Sequence, residues 1–240
     1  MRFTQEQVVR LRLRHRGYMI VLITELVFLA LLPLATVFPW FLSVMLISMD
    51  GILIGLVSRY NRVVRYRQFY YLVGAAAVLM EVVWHLALRL NWGLGQAMTI
   101  PHVLIWCVFF LFSVWRMVKT LIREPFVTVA VVMGAASGYL LIGMAGGVML
   151  VATSFLHPAA LDTAVLLQGH DPMLLREPLG MLTLSPALMA ASFNLLTTVG
   201  SGVLSSGSVV AQVLVTAITV SGQLYVAILI ALILGRFHTR

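Results

Sequence analysis

Ser185-Pro186-Ala187-Leu188-Met189-Ala190-Ala191-Ser192-Phe193-Asn194-Leu195-Leu196-Thr197-Thr198-Val199-Gly200-Ser201-Gly202 is the stretch on which the fold turns. Serine followed by proline reads as a helix start, with Ser185 as N-cap and Pro186 at the first helical position. From 186 to 197 there are twelve residues, about 18 Å at the helical rise. That is too short to cross a bilayer and reaches about halfway. The glycines at 200 and 202 then offer a backbone free to take unusual dihedrals. A half-helix, a glycine-containing loop and a following long apolar run form a re-entrant pattern. Such backbone is tolerated at membrane depth only where it is buried in protein or lines water.

Outward from this stretch the chain is apolar almost throughout. Of 240 residues, 61% are hydrophobic and 10% charged, and mean hydropathy is +1.02. Soluble domains carry about 25% charged residues, so a soluble enzyme is excluded as the starting expectation. Six apolar segments are long enough to be read as spans: about 18–38, 41–57, 69–88, 99–117, 126–155 and 208–234. The expected fold is an all-α membrane protein with six transmembrane helices plus a re-entrant half-helix and loop. Turn signals separate the spans: Pro39-Trp40, the basic loop with Arg59, Arg62, Arg65 and Arg67, and Asn91-Trp92-Gly93. With the N-terminus in the cytoplasm, fourteen of sixteen basic residues fall inside, leaving Arg89 and Arg176 outside. This predicts that both termini are cytoplasmic, in a multi-pass protein of the cell (inner) membrane. The same placement removes nucleic acid as the reason for the net charge of +8. No cleavage signature interrupts the first apolar run, so no removable signal peptide is expected. Cys107 is the one cysteine, which excludes an internal disulfide.

Thr197-Thr198-Val199-Gly200-Ser201-Gly202, with Leu196 before it, resembles the selectivity filter of the potassium-channel pore family, one serine replacing tyrosine. Ser221-Gly222-Gln223-Leu224-Tyr225-Val226-Ala227-Ile228-Leu229-Ile230 resembles the inner helix of bacterial six-span members. The likeness covers about 125–240. The resemblance implies a homotetramer around a central pore, with permeant K+ held at Thr198, Val199, Gly200 and Ser201 and the filter completed by Gly202. It implies support of the filter from Asn194, Thr197 and Val203, and a gating hinge at Gly222. The alternative reading of Gly222 is a small residue that lets helices pack closely, and Gly134, Gly138, Gly143 and Gly147 favour packing for the helix before. Three departures stand out: Ser201 lacks the outward-packed ring, Val203 replaces an aspartate, and Asn194 stands where some members have a pore-helix carboxylate. They predict a looser filter that passes K+ and also Na+. Backbone carbonyls that replace an ion's water, together with the negative end of the half-helix, supply the physics independently.

The resemblance divides the chain into a basic cytoplasmic tail (1–17), a four-helix region in the sensor-like position (18–124) and a pore domain (125–240). Arg116 and Lys119 are the basic residues near the inner end of the fourth span, and no arginine ladder precedes them from 99 to 114. Glu25, Asp50 and Glu81 lie within the first three spans, where acids are functional suspects. They either pair with Arg116 and Lys119 to fix packing or carry a voltage or proton response. His85 and His102 read as packing residues, since no metal-spaced partner accompanies them. His157, Asp162, His170 and Asp171 belong to an external loop. The expected function is a tetrameric cation channel, not an enzyme, with no cofactor or small-molecule substrate beyond the permeant ion. The alternative is a non-conducting scaffold or subunit that keeps the pore fold.

Overall fold

The computed structural model of the chain describes residues 5–38, 40–60, 64–90, 92–122, 124, 128–157, 160–161, 178–200 and 208–237. Among them the chain is entirely helical: α1 (Gln5–Val37), α2 (Trp40–Tyr60), α3 (Val64–Leu90), α4 (Trp92–Ile122), α5 (Val129–Leu156), α6 (Pro178–Leu196) and α7 (Val209–Phe237). Five of these, α1, α3, α4, α5 and α7, are long and apolar enough to cross a membrane. The protein is therefore a multi-pass membrane protein by the length and composition of its helices. Among the described residues the apolar parts of α2 (Trp40–Leu56) and α6 (Thr183–Leu196) are shorter.

Several expected boundaries move. The basic stretch before residue 18 continues α1 without a break from Gln5. Helix α2 runs to Tyr60 and α3 starts at Val64, so Arg59, Arg65 and Arg67 sit on helix ends rather than in a loop. Trp92 and Gly93 already belong to α4. The largest shift is in α6, which begins at Pro178 and holds Pro186 within it. Ser185 is thus not an N-cap, and its hydroxyl makes no hydrogen bond among the described residues. The reason lies in the two prolines, either of which suits a first helical turn. The helix starts at the earlier proline and is about 28 Å long.

Helices α3 and α4 form an antiparallel hairpin. The pairs Tyr70–Ser113, Glu81–His102 and Trp84–Thr99 are hydrogen-bonded, and each pair of residue numbers adds to the same value, the mark of one continuous register. Helix α5 is the most buried of the five candidate spans and packs against α1, α4, α6 and α7. Its glycines make this possible. A Cβ on Gly134 would lie 2.9 Å from the Tyr18 ring and on Gly143 2.5 Å from the Phe193 ring, and one on Gly147 would run into Met189 Sδ. Gly138 likewise receives the Tyr225 hydroxyl, which donates to the Ala135 carbonyl at 2.9 Å. The small residues of α5 are therefore a packing surface for three neighbours.

Candidate functional site

Helix α6 runs antiparallel to α5. Met189 sits against Gly147, Ser192 donates to the Gly143 carbonyl (2.7 Å), and the Tyr139 hydroxyl donates to the Leu196 carbonyl (2.8 Å). Tyr139 lies ten residues from the start of α5, so α6 ends about 15 Å short of that end of α5. Helix α7 passes the same point. A Cβ on Gly222 would stand 2.7 Å from the Leu196 carbonyl oxygen and 2.8 Å from Leu196 Cδ1. Tyr139 and Gly222 thus hold the end of α6 between α5 and α7. Gly222 is used here for close approach, which agrees with the packing alternative and leaves the hinge role to experiment.

The chain leaves α6 through a specific turn. Val199 N–H donates to the Asn194 carbonyl at 3.0 Å and Thr198 N–H to the Leu195 carbonyl at 3.0 Å. These are the six-to-one and five-to-two bonds of a Schellman motif. Gly200 N–H also donates to the Asn194 carbonyl, at 3.2 Å. The motif places its left-handed residue at Thr198, with φ 65°. Glycine usually fills this position, and a β-branched residue there is a genuine outlier. Thr198 Oγ1 donates to the Thr197 carbonyl at 2.6 Å, and Thr197 Oγ1 donates back to the helix at the Phe193 and Asn194 carbonyls.

The left-handed residue of the turn is Thr198, and Gly200 does not share that conformation; Gly202, the other glycine expected to supply unusual dihedrals, lies outside the described residues. Gly200 serves instead as a point of contact, since a Cβ there would lie 2.5 Å from Asn194 Cβ. Asn194 supports the turn through its main-chain carbonyl. Val199 is 81% exposed, so the hydrophobic contact that often accompanies a Schellman turn is absent. Ser201, Gly202 and Val203 lie outside the described residues, as do Asp162, His170 and Asp171 of the external loop.

The intramembrane acids do not pair with Arg116 and Lys119. Among the described residues Arg116 lies over the Phe112 ring (6.0 Å) and Lys119 over the Trp115 ring (4.6 Å), one turn back on the same helix. Glu81 is 2% exposed, and its Oε2 accepts from His102 Nε2 and Trp106 Nε1, both at 2.7 Å. Its Oε1 lies 3.5 Å from His85 Nε2, which shares a hydrogen bond with Ser43 Oγ. Glu25 accepts from the Ser137 hydroxyl at 2.9 Å, joining α1 to α5. Asp50 is buried beneath Gly74, and its Oδ1 has no hydrogen-bond partner among the described residues. The positive groups stack on rings near the end of α4, and two of the three buried carboxylates, Glu25 and Glu81, take local donors instead, as a buried charge is tolerated only when hydrogen-bonded or paired.

His85, His102 and Trp106 form an acidic centre with Glu81 that the sequence reading missed. Glu81 and His85 stand one turn apart, a signal visible in the sequence. His102 and Trp106 required the α3–α4 register. No group of three histidine, cysteine or carboxylate side chains is placed to hold a metal ion among the described residues. No family model matches the chain, and neither a curated protein nor a solved structure matches it.

Proposed function

We propose that this chain is a subunit of a tetrameric cation channel that passes K+, and Na+ less selectively than a filter with tyrosine and aspartate. The observation that carries the reading is the end of α6. A buried helix stops level with the middle of α5 and α7, and its last turn places a strained Thr198 at the start of Thr-Val-Gly-Ser-Gly. Backbone strain of this kind persists where surrounding structure holds it, and functional sites are where it gathers. The C-terminal end of α6 is the negative end of its helix dipole, which favours a cation.

Helix geometry supports a re-entrant segment. Gly222 meets the end of α6 thirteen residues, about 20 Å, after α7 begins at Val209. The connection from 200 to 209 is long enough to return that distance. On this reading α6 is the pore helix, α5 and α7 flank it, and α2 is a span with α1, α3, α4, α5 and α7, which makes six. Val199 is exposed in the single chain, and α7 carries an exposed apolar face through Val213, Val220 and Leu224. Both suit burial against other copies. The bias of basic residues supports cytoplasmic termini in a cell-membrane protein.

Reversal potentials of the reconstituted protein under bi-ionic conditions test the proposal. Currents should be carried by K+ with measurable Na+, and excluded for anions. Ser201→Tyr with Val203→Asp should raise the K+-to-Na+ ratio. Absence of current in any cation from a stable tetramer would instead favour a non-conducting scaffold with this fold, for which the Ser201 and Val203 departures are the motive.

A further inference from the structure

Between α2, α3, α4, α5 and α6 lies a cavity of about 30 Å³. Leu42, Leu46, Val148 and Met189 make much of its wall apolar, and Ser43, Glu81, His85, Thr99, His102 and Ser185 bring polar atoms to it. Most of those atoms are satisfied. Thr99 Oγ1 accepts from Trp84 Nε1 and donates to the Gly95 carbonyl, both at 3.0 Å. Glu81 has His102 and Trp106 on one oxygen and His85 near the other. Two are not. Among the described residues His102 Nδ1 and Ser185 Oγ are buried and make no hydrogen bond, although both residues border this cavity and are 5% and 3% exposed.

An unmade hydrogen bond on a buried atom forfeits the whole desolvation of that group, so such pairs call for a partner. A water molecule needs about 10–15 Å³ and two to four polar neighbours. The cavity is large enough for one water, and His102 and Ser185 both border it. We propose that it is a structural water site, in which one water bridges His102 Nδ1 and Ser185 Oγ. The water would tie α6 to the Glu81–His102 pair of the α3–α4 hairpin, across the boundary between the first four helices and the last three. Trp84 stacks on His102 with ring centroids 4.4 Å apart and restrains the imidazole plane.

The titratable groups facing the site are Glu81 and His85 from α3 and His102 from α4. Helices α2, α5 and α6 present only serine hydroxyls and apolar side chains to it. Water and a serine hydroxyl can each donate or accept, so the bridge holds whether His102 Nδ1 carries a proton or a lone pair. It is therefore a fixed tie rather than a pH switch. The inference does not depend on ion conduction.

Solid-state NMR of the full-length protein in lipid, with 15N-labelled histidine, tests it. A magnetisation-transfer peak between water and His102 Nδ1 is expected, identified by its loss in His102→Phe. It should weaken in Ser185→Ala, whose unfolding midpoint should fall by about 2–4 °C, the scale of one lost hydrogen bond in a chain of this size. A dry cavity predicts the opposite sign, since alanine would remove an unsatisfied hydroxyl. No transfer peak in the wild-type protein, or an unchanged or raised midpoint in Ser185→Ala, would overturn the proposal. Should Ser185→Ala fail to fold, the wild-type peak alone decides.

Discussion

Thr198→Gly should stabilise this protein while impairing the function we assign to it. Thr198 occupies the left-handed region at φ 65°. That conformation costs an L-residue about 1–2 kcal/mol, toward the upper end for a β-branched side chain. Two terms oppose the gain. Glycine carries extra backbone entropy in the unfolded chain, about 0.5–1 kcal/mol. The substitution also deletes the Thr198 Oγ1 bond to the Thr197 carbonyl, an exposed local bond at the low end of the usual range, about 0.5 kcal/mol. The net expectation is a gain of about 0.5–1 kcal/mol, a rise of roughly 1–4 °C in the unfolding midpoint for a chain this long. Thr198→Val is the control, because it keeps the branched strain and loses only the hydroxyl. It should be less stable than the wild type. In flux assays both variants should conduct K+ less well, because the resemblance places the threonine oxygen among the ion ligands. Stability and activity would then move in opposite directions at one residue, the pattern of a strained functional site. If the glycine variant is less stable than the valine variant, the left-handed turn at Thr198 is not what terminates α6, and the argument built on it fails.

Gly143→Ala should lose about 1–3 kcal/mol, because the new Cβ lies 2.5 Å from the Phe193 ring. Gly51→Ala, with nothing within 4 Å, should gain up to about 1 kcal/mol from helix propensity, and the pair compared by thermal unfolding separates packing from propensity. His102→Leu strips Glu81 of a paired donor and should cost about 3–5 kcal/mol. Adding Glu81→Leu should recover much of that loss, and strict additivity of the two in an unfolding cycle would show that they do not act as a pair. Tyr139→Phe removes the bond to the Leu196 carbonyl and should destabilise by about 1 kcal/mol while altering ion flux; an unchanged flux would separate the clamp from the pore. Voltage dependence should be weak, since each charge moved through 100 mV contributes only about 2.3 kcal/mol and Arg116 and Lys119 are already stacked near the end of α4. A steep conductance–voltage curve that flattens on Arg116→Gln would contradict it.

The helical, membrane-spanning character was legible in the sequence, because it follows from composition and run length. Apolar segments of about twenty residues have no other stable form in lipid, and α1, α3, α4, α5 and α7 appear where those runs predict. The glycines of α5 could also be read beforehand, since their spacing alone marks a close-packing surface. The start of α6 could not, because Pro178 and Pro186 both carry the local signal of a first helical turn. The partners of the buried acids were hidden for a different reason. Arg116 and Lys119 looked suitable by charge, but pairing depends on depth and on register, and the α3–α4 hairpin brings His102 and Trp106 to Glu81 instead. Likewise the strained residue of the turn is Thr198 rather than glycine 200. Local preference favours glycine at a left-handed position, yet the clasp of Tyr139 and Gly222 on Leu196 sets where the helix stops. Sequence thus determined what each segment can be, through hydropathy and backbone propensity that act within a few residues. Tertiary structure decided which groups meet, because register between distant helices is set by the fit of side chains across the whole interface.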